Sequence, residues 1–142
     1  MRITFAGVTS FLLFLPTPVH AQNVAIRHAT PDSVVAVLKA DLLPQGFKFV
    51  NADKNNALFT LDRGMVAQRN GSTVHVTLEL HAHFKQQSDG LLVNLYEEVV
   101  GESGTAAYEF RRPVENQRER DNLQRLLDGE KARIEGAKHD ST

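Results

Sequence analysis

The chain of 142 residues sets 16 Lys and Arg against 17 Asp and Glu, for a net charge of −1, and it has no cysteine. So even a balance lacks the basic footprint of a nucleic-acid binder, and the missing thiol excludes disulfides, thiol catalysis, thiolate metal sites and a lipidated-cysteine anchor. With a leader set aside, the remainder is about the size of one domain with a single core.

Residues 1–21 read as a secretory signal peptide. Met1-Arg2 gives the positive start, Ile3 to Leu15 is apolar apart from small and hydroxyl residues, and Pro16-Thr17-Pro18 breaks the run. Val19-His20-Ala21 then supplies the recognition positions for cleavage before Gln22. The apolar run is well short of the ~20 residues that span a bilayer, so the mature chain is expected to have no transmembrane segment. Small secreted eukaryotic domains often carry disulfides. A cysteine-free one is therefore expected in a bacterial periplasm or, failing that, outside the cell. Losing Arg2 with the leader takes the charge from −1 to −2. The mature domain is expected to span residues 22–137, with 138–142 as a disordered tail.

Thr30-Pro31-Asp32 predicts a helix start, with Thr30 as N-cap, Pro31 in the first turn and Asp32 favoured by the helix dipole. Val34, Val35, Val37, Leu38 and Leu42 recur at helical spacing, and Pro44 and Gly46 close the segment. Valines are poor helix formers, so burial must hold this helix.

After Gly46 the period changes to two. Phe47 and Phe49 begin a first strand over 47–52, a free sheet edge bearing Lys48. Asp53 to Asn56 is a turn. A long alternating run follows, and Asn70-Gly71 predicts a two-residue hairpin turn, since both residues tolerate positive φ. Asn70-Gly71-Ser72 also fits the glycosylation pattern, but the turn is its better use. Counting outward, Ala67 is expected opposite Val74, Met65 opposite Val76, Leu61 opposite Leu80 and Phe59 opposite Ala82. Arg63 opposite Leu78 breaks the apolar match, and Gly64 suggests a bulge there. Asp89-Gly90 predicts the next turn, which places Phe84 opposite Leu95, His83 opposite Tyr96 and His81 opposite Glu98. The fourth strand is expected to run as far as Tyr108 and Phe110, and Pro113 to open a second helix reaching about residue 136.

The fold class expected is therefore α+β: an N-terminal helix, a four-stranded antiparallel meander and a C-terminal helix (α-β-β-β-β-α). Both helices should lie on the sheet face that carries Phe59, Leu61, Val74, Leu78, Leu80, Phe84 and Leu95. This element order resembles the helix-grip arrangement, in which a helix lies across a curved antiparallel sheet.

Chemistry is concentrated in "HVTLELHAHF", residues 75–84, where alternation sends His75, Glu79, His81 and His83 to the face without helices. Leu58, Thr60, Val66, Tyr96 and Glu98 share that face by parity. Aliphatic, aromatic and imidazole groups mixed on one surface suit a protein interface, so the expected function is a non-catalytic binding domain of the cell envelope. Its partner would be an envelope protein or a second copy, bound through His81, His83, Tyr96, Glu98, Thr60 and Leu58. The alternative is a periplasmic zinc or copper site made by His81 and His83 with Glu98 across the strand. No cofactor is expected otherwise. Glu97 and Glu98 are adjacent, hence on opposite faces, and cannot act as an acid–base pair. Glu97 would be costly to bury, so a local bulge is expected to turn it outward. With no Gly-x-Ser-x-Gly and no evident pocket, no catalytic residue is assigned. Arg111, Arg112, Arg118, Arg120 and Arg125 make the second helix basic in its first half, but Glu115, Glu119 and Asp121 nearly neutralise it.

Overall fold

A computed structural model describes residues 21–102 and 109–140. Apart from Ala21, the expected leader lies outside the described residues, as do Tyr108 and the last two residues of the expected tail. In chain order the elements are β1 (Gln22–Arg27), α1 (Pro31–Leu42), β2 (Lys48–Ala52), β3 (Asn56–Ala67), β4 (Thr73–Gln87), β5 (Gly90–Glu102), β6 (Glu109–Pro113) and α2 (Gln117–Asp140). The chain is thus an α+β protein, and among the described residues it has one antiparallel sheet and two helices, but the sheet has six strands rather than four. Among the described residues no helix is long and apolar enough to cross a membrane.

The two extra strands share one edge. β1 pairs with β5 from Gln22 opposite Leu95 to Arg27 opposite Gly90, and β6 pairs with β5 from Glu98 opposite Pro113 to Glu102 opposite Glu109. Tyr96 and Glu97 fall in the gap between them. There the Val114 amide donates to the Glu97 carbonyl at 3.0 Å, and the chain leaves the sheet to start α2. β1 eluded sequence reading because only Val24 and Ile26 alternate within it, too short a pattern to stand out. Pro113 ends β6 instead of opening the helix, which begins at Gln117 and continues to Asp140, through the first residues of the expected tail.

The first helix forms as its sequence dictates. Thr30 Oγ1 accepts from the Ser33 amide at 3.2 Å and Ser33 Oγ accepts from the Thr30 amide at 2.9 Å, a reciprocal cap with Pro31 in the first turn. Val34, Val35, Leu38 and Leu42 are buried on its inner side. A turn of 3₁₀ helix then ends at Gly46, whose φ of 98° only glycine adopts without strain. α1 and α2 feed one core, in which Leu38, Leu127 and Ile134 meet Phe59, Leu80, Phe84 and Leu95. Burying each of these Phe or Leu side chains stabilises by about 1.5–3 kcal/mol. Lys131 and Glu135 of α2 also bind β1, Lys131 donating to the Ala25 carbonyl at 2.8 Å and Glu135 accepting from Arg27 at 2.9 Å.

Both hairpins differ from the expected register. Between β3 and β4 the connection spans 68–72: the Gln68 amide donates to the Ser72 carbonyl at 2.7 Å, and Asn70 Oδ1 accepts from the Ser72 amide at 3.0 Å. Asn70 caps this longer loop with its side chain rather than starting a two-residue turn. The expected bulge is present between Asp62 and Gly64, and it shifts the register so that Leu61 faces Leu78 and Phe59 faces Leu80. Beyond it the faces exchange. Met65 stands opposite His75, on the histidine face, and Val66 moves to the other side. Between β4 and β5 the turn residues are Ser88 and Asp89, because Gln87 already pairs with Gly90. Gly90 is a strand residue whose missing Cβ lets the Ile26 carbonyl of β1 approach, and the Asp89 carbonyl accepts from the His28 amide at 2.8 Å.

Candidate functional site

The two-residue shift between β4 and β5 preserves the faces and changes the neighbours. His81 stands opposite Tyr96, not Glu98; Glu98 faces Glu79; and His83 faces Asn94. β3 completes the rows, with Leu58 beside His81 and Thr60 beside Glu79. All six residues expected on the binding face therefore share it, in the rows Leu58–His81–Tyr96 and Thr60–Glu79–Glu98, with His83 one step along.

Tyr96 is the centre of this surface. Its ring lies 4.7 Å from that of His81, within 3° of parallel, and 5.6 Å from that of His83, within 15°. Each such ring pair contributes about 0.5–1.5 kcal/mol beyond its buried area. The Tyr96 hydroxyl makes a long 3.4 Å contact with His83 Nε2. Burial, and then the Glu98 and Glu79 carboxylates, push the Tyr96 phenol above its ordinary range, so it stays protonated.

Beside the stack lies a charged network centred on a residue that sequence reading had counted with the charges of the helix. Arg111 sits on β6 opposite Val100, and its Nη1 donates to Glu79 Oε2 at 2.7 Å and to Glu98 Oε2 at 3.2 Å. His81 Nε2 is 2.9 Å from the same Glu79 oxygen and 3.8 Å from Glu98 Oε2. Burial pushes the Glu79 carboxyl up, but Arg111 and His81 outweigh it and hold Glu79 below the usual carboxylate range. Without Arg111, two like charges would face each other across the strands. His75 is separate, its Nε2 2.8 Å from Asp62 Oδ1 at the bulge.

The geometry alters the candidate metal set. Glu79, His81 and Glu98 each offer a ligand atom, all within 4.8 Å of one another. His83 is not among them, since its ring turns to Tyr96. Two carboxylates and one imidazole make a harder donor set than two imidazoles and a carboxylate, and the Arg111 guanidinium already supplies a positive charge to both acids.

On the other side of the sheet, Glu97 corrects an expectation. The β4–β5 ladder is unbroken there, so no bulge turns Glu97 out; it sits opposite Leu80, 8% exposed, with Oε2 unpartnered among the described residues. Leaving that oxygen unsatisfied costs about 1–3 kcal/mol. Burial, with help from Glu119 and against Arg63, pushes its carboxyl up to about 7. Glu97 lines a cavity of about 550 Å³ between the sheet and the first half of α2, which sequence reading did not foresee. A second buried carboxyl, Glu130 of α2, is pushed up to about 9 by burial and then by the neighbouring Asp41 carboxyl of α1. The Asp41 carboxyl is held low, first by the neighbouring Glu130 carboxyl and then by Arg133, which donates to it at 2.6 Å.

No described protein family matches the chain, and no curated protein matches it in sequence. The residues themselves must carry any functional reading.

Proposed function

We propose that the protein is a small non-catalytic binding domain of the bacterial envelope, exported and processed near Ala21, which holds a partner protein through the histidine face of its sheet. The observation that carries this reading is Tyr96 stacked between His81 and His83, on a face to which neither α1 nor α2 contributes. An aromatic ring ringed by hydrogen-bonding groups, with Leu58 alongside, has the composition of an interface centre. Stacking already fixes the ring, so little side-chain freedom is left to lose on association. Met65, 64% exposed on the same face, extends the apolar area toward the β3–β4 loop. Glu79, Glu98, Arg111 and His81 satisfy one another, which suits a static surface better than proton transfer. The test is a photo-crosslinking side chain at position 83 in living cells, with position 40 on the exposed side of α1 as control. Position 83 is expected to give one discrete adduct that Tyr96→Ala abolishes, its mass separating a second copy from a different envelope protein. No adduct, or one indifferent to Tyr96→Ala, rejects the proposal.

A second reading is a zinc or copper site. It is favoured by the convergence of Glu79, His81 and Glu98, with Glu79 replacing His83 in the ligand set read from sequence. A metal ion at this point competes with Arg111 for the same two carboxylates.

A further inference from the structure

The cavity under α2 has a simple origin in sequence. Between Val114 and Leu123 the chain offers no apolar residue. Across from Leu61, Leu78 and Leu80 the helix therefore presents Glu119 and Asn122, and the space is left open. Its size falls in the range of small-molecule sites, and its walls are divided about evenly between leucines with Phe47 and polar or charged side chains. Its charges are not equivalent. Arg63 and Arg125 are exposed, where water screens them, whereas Glu97 is buried and Glu119 is half-buried. The deep part of the cavity is thus acidic, with one carboxylate oxygen lacking any partner among the described residues.

We infer that this cavity binds a small amphiphile with a cationic head, its apolar body among Leu61, Leu78, Leu80 and Leu126 and its ammonium group on Glu97. The ammonium supplies the donors that Glu97 lacks and neutralises the repulsion between Glu97 and Glu119. The site lies on the opposite side of the sheet from the histidine face and does not depend on the partner proposed there. Because the free Glu97 carboxyl is pushed up to about 7, a bound cation shifts it toward ionisation and expels a proton.

Calorimetric titration with octylammonium, octanol and octanoate tests this, since the three differ only in the head. Octylammonium is expected to bind about tenfold more tightly than octanol, and octanoate more weakly than either. At pH 7 the heat of octylammonium binding is expected to vary with the ionisation enthalpy of the buffer, reporting the released proton. Glu97→Gln is expected to keep octanol binding and to lose both the preference for the amine and the buffer dependence. Leu126→Trp, which fills the cavity, is expected to lose all binding while thermal unfolding shows it folded. Failure of all three probes to bind the unsubstituted protein, tighter binding of octanoate, or an amine preference that survives Glu97→Gln overturns the inference.

Discussion

Gly90 packs its bare Cα against the Ile26 carbonyl oxygen, and a Cβ at this position would overlap that atom. The contact seats β1 on the edge of β5, so a side chain there must push the strand away. Gly90→Ala is expected to destabilise the protein by about 1–3 kcal/mol. In urea unfolding the midpoint drops, and in hydrogen exchange the amides of β1 lose protection before those of β4. Unchanged exchange in β1 would contradict the role given to Gly90.

Stability should fall as pH rises from mildly acidic to alkaline. Glu97 and Glu130 have folded values pushed up from 4.5 to about 7 and about 9. The folded state therefore keeps protons that the unfolded chain releases. Their contribution is complete below about 4.5 and is lost as pH climbs through about 7 for Glu97 and about 9 for Glu130. Carboxylates held low, such as Glu79 and Asp62, act in the opposite sense, and only in acid. Glu97→Gln is expected to remove a fall of about 2–3 kcal/mol between about pH 4.5 and about 7, and Glu130→Gln the fall that continues to about 9. A rise in the urea midpoint over this window would refute the assignment.

Arg111→Ala leaves Glu79 and Glu98 facing each other without their shared cation. A loss of about 1 kcal/mol is expected from this half-exposed network, smaller at high salt. If the metal reading holds, the same variant binds zinc at least about tenfold more tightly than the parent, and adding His81→Ala abolishes the gain. Equal zinc affinity in parent and variant removes that reading.

Thr30→Ala breaks the reciprocal cap of α1. It is expected to cost about 1 kcal/mol in chemical denaturation. Thr30→Ser keeps the side-chain acceptor and should stay near the parent value.

Local patterns were legible because local chemistry decides them. Thr30-Pro31 set the start of α1, alternation set the faces of β4 and β5, and Gly64 marked the bulge in β3. What escaped depended on distant partners. Asp89-Gly90 resembled a turn because glycine tolerates positive φ, yet Gly90 is needed for close approach to β1, a strand too short to recognise. The resulting two-residue shift kept all six candidate face residues together while exchanging their neighbours, giving His81 to Tyr96 and Glu79 to Glu98. Arg111 was counted with the charges of the helix expected from Pro113, two residues later, and pairing with β5 cannot be read from five residues. Glu97 stayed inward because its strand keeps its ladder and α2 leaves room beside it.

The ties between β1 and α2 bear on how the chain assembles. Of the described elements β1 comes first, but its partner β5 is the last strand of the β2–β5 meander, whose hairpins close locally and fast. The two terminal elements hold each other through Lys131 on Ala25 and Glu135 on Arg27. They are therefore expected to open as one unit, the amides of β1 and α2 losing hydrogen-exchange protection together. When that unit lifts, the first half of β5 becomes a bare edge with Leu91, Val93 and Leu95 beside it. A second molecule's β1 fits that edge as well as the chain's own, so strand exchange between copies is the characteristic misassembly this topology must outrun.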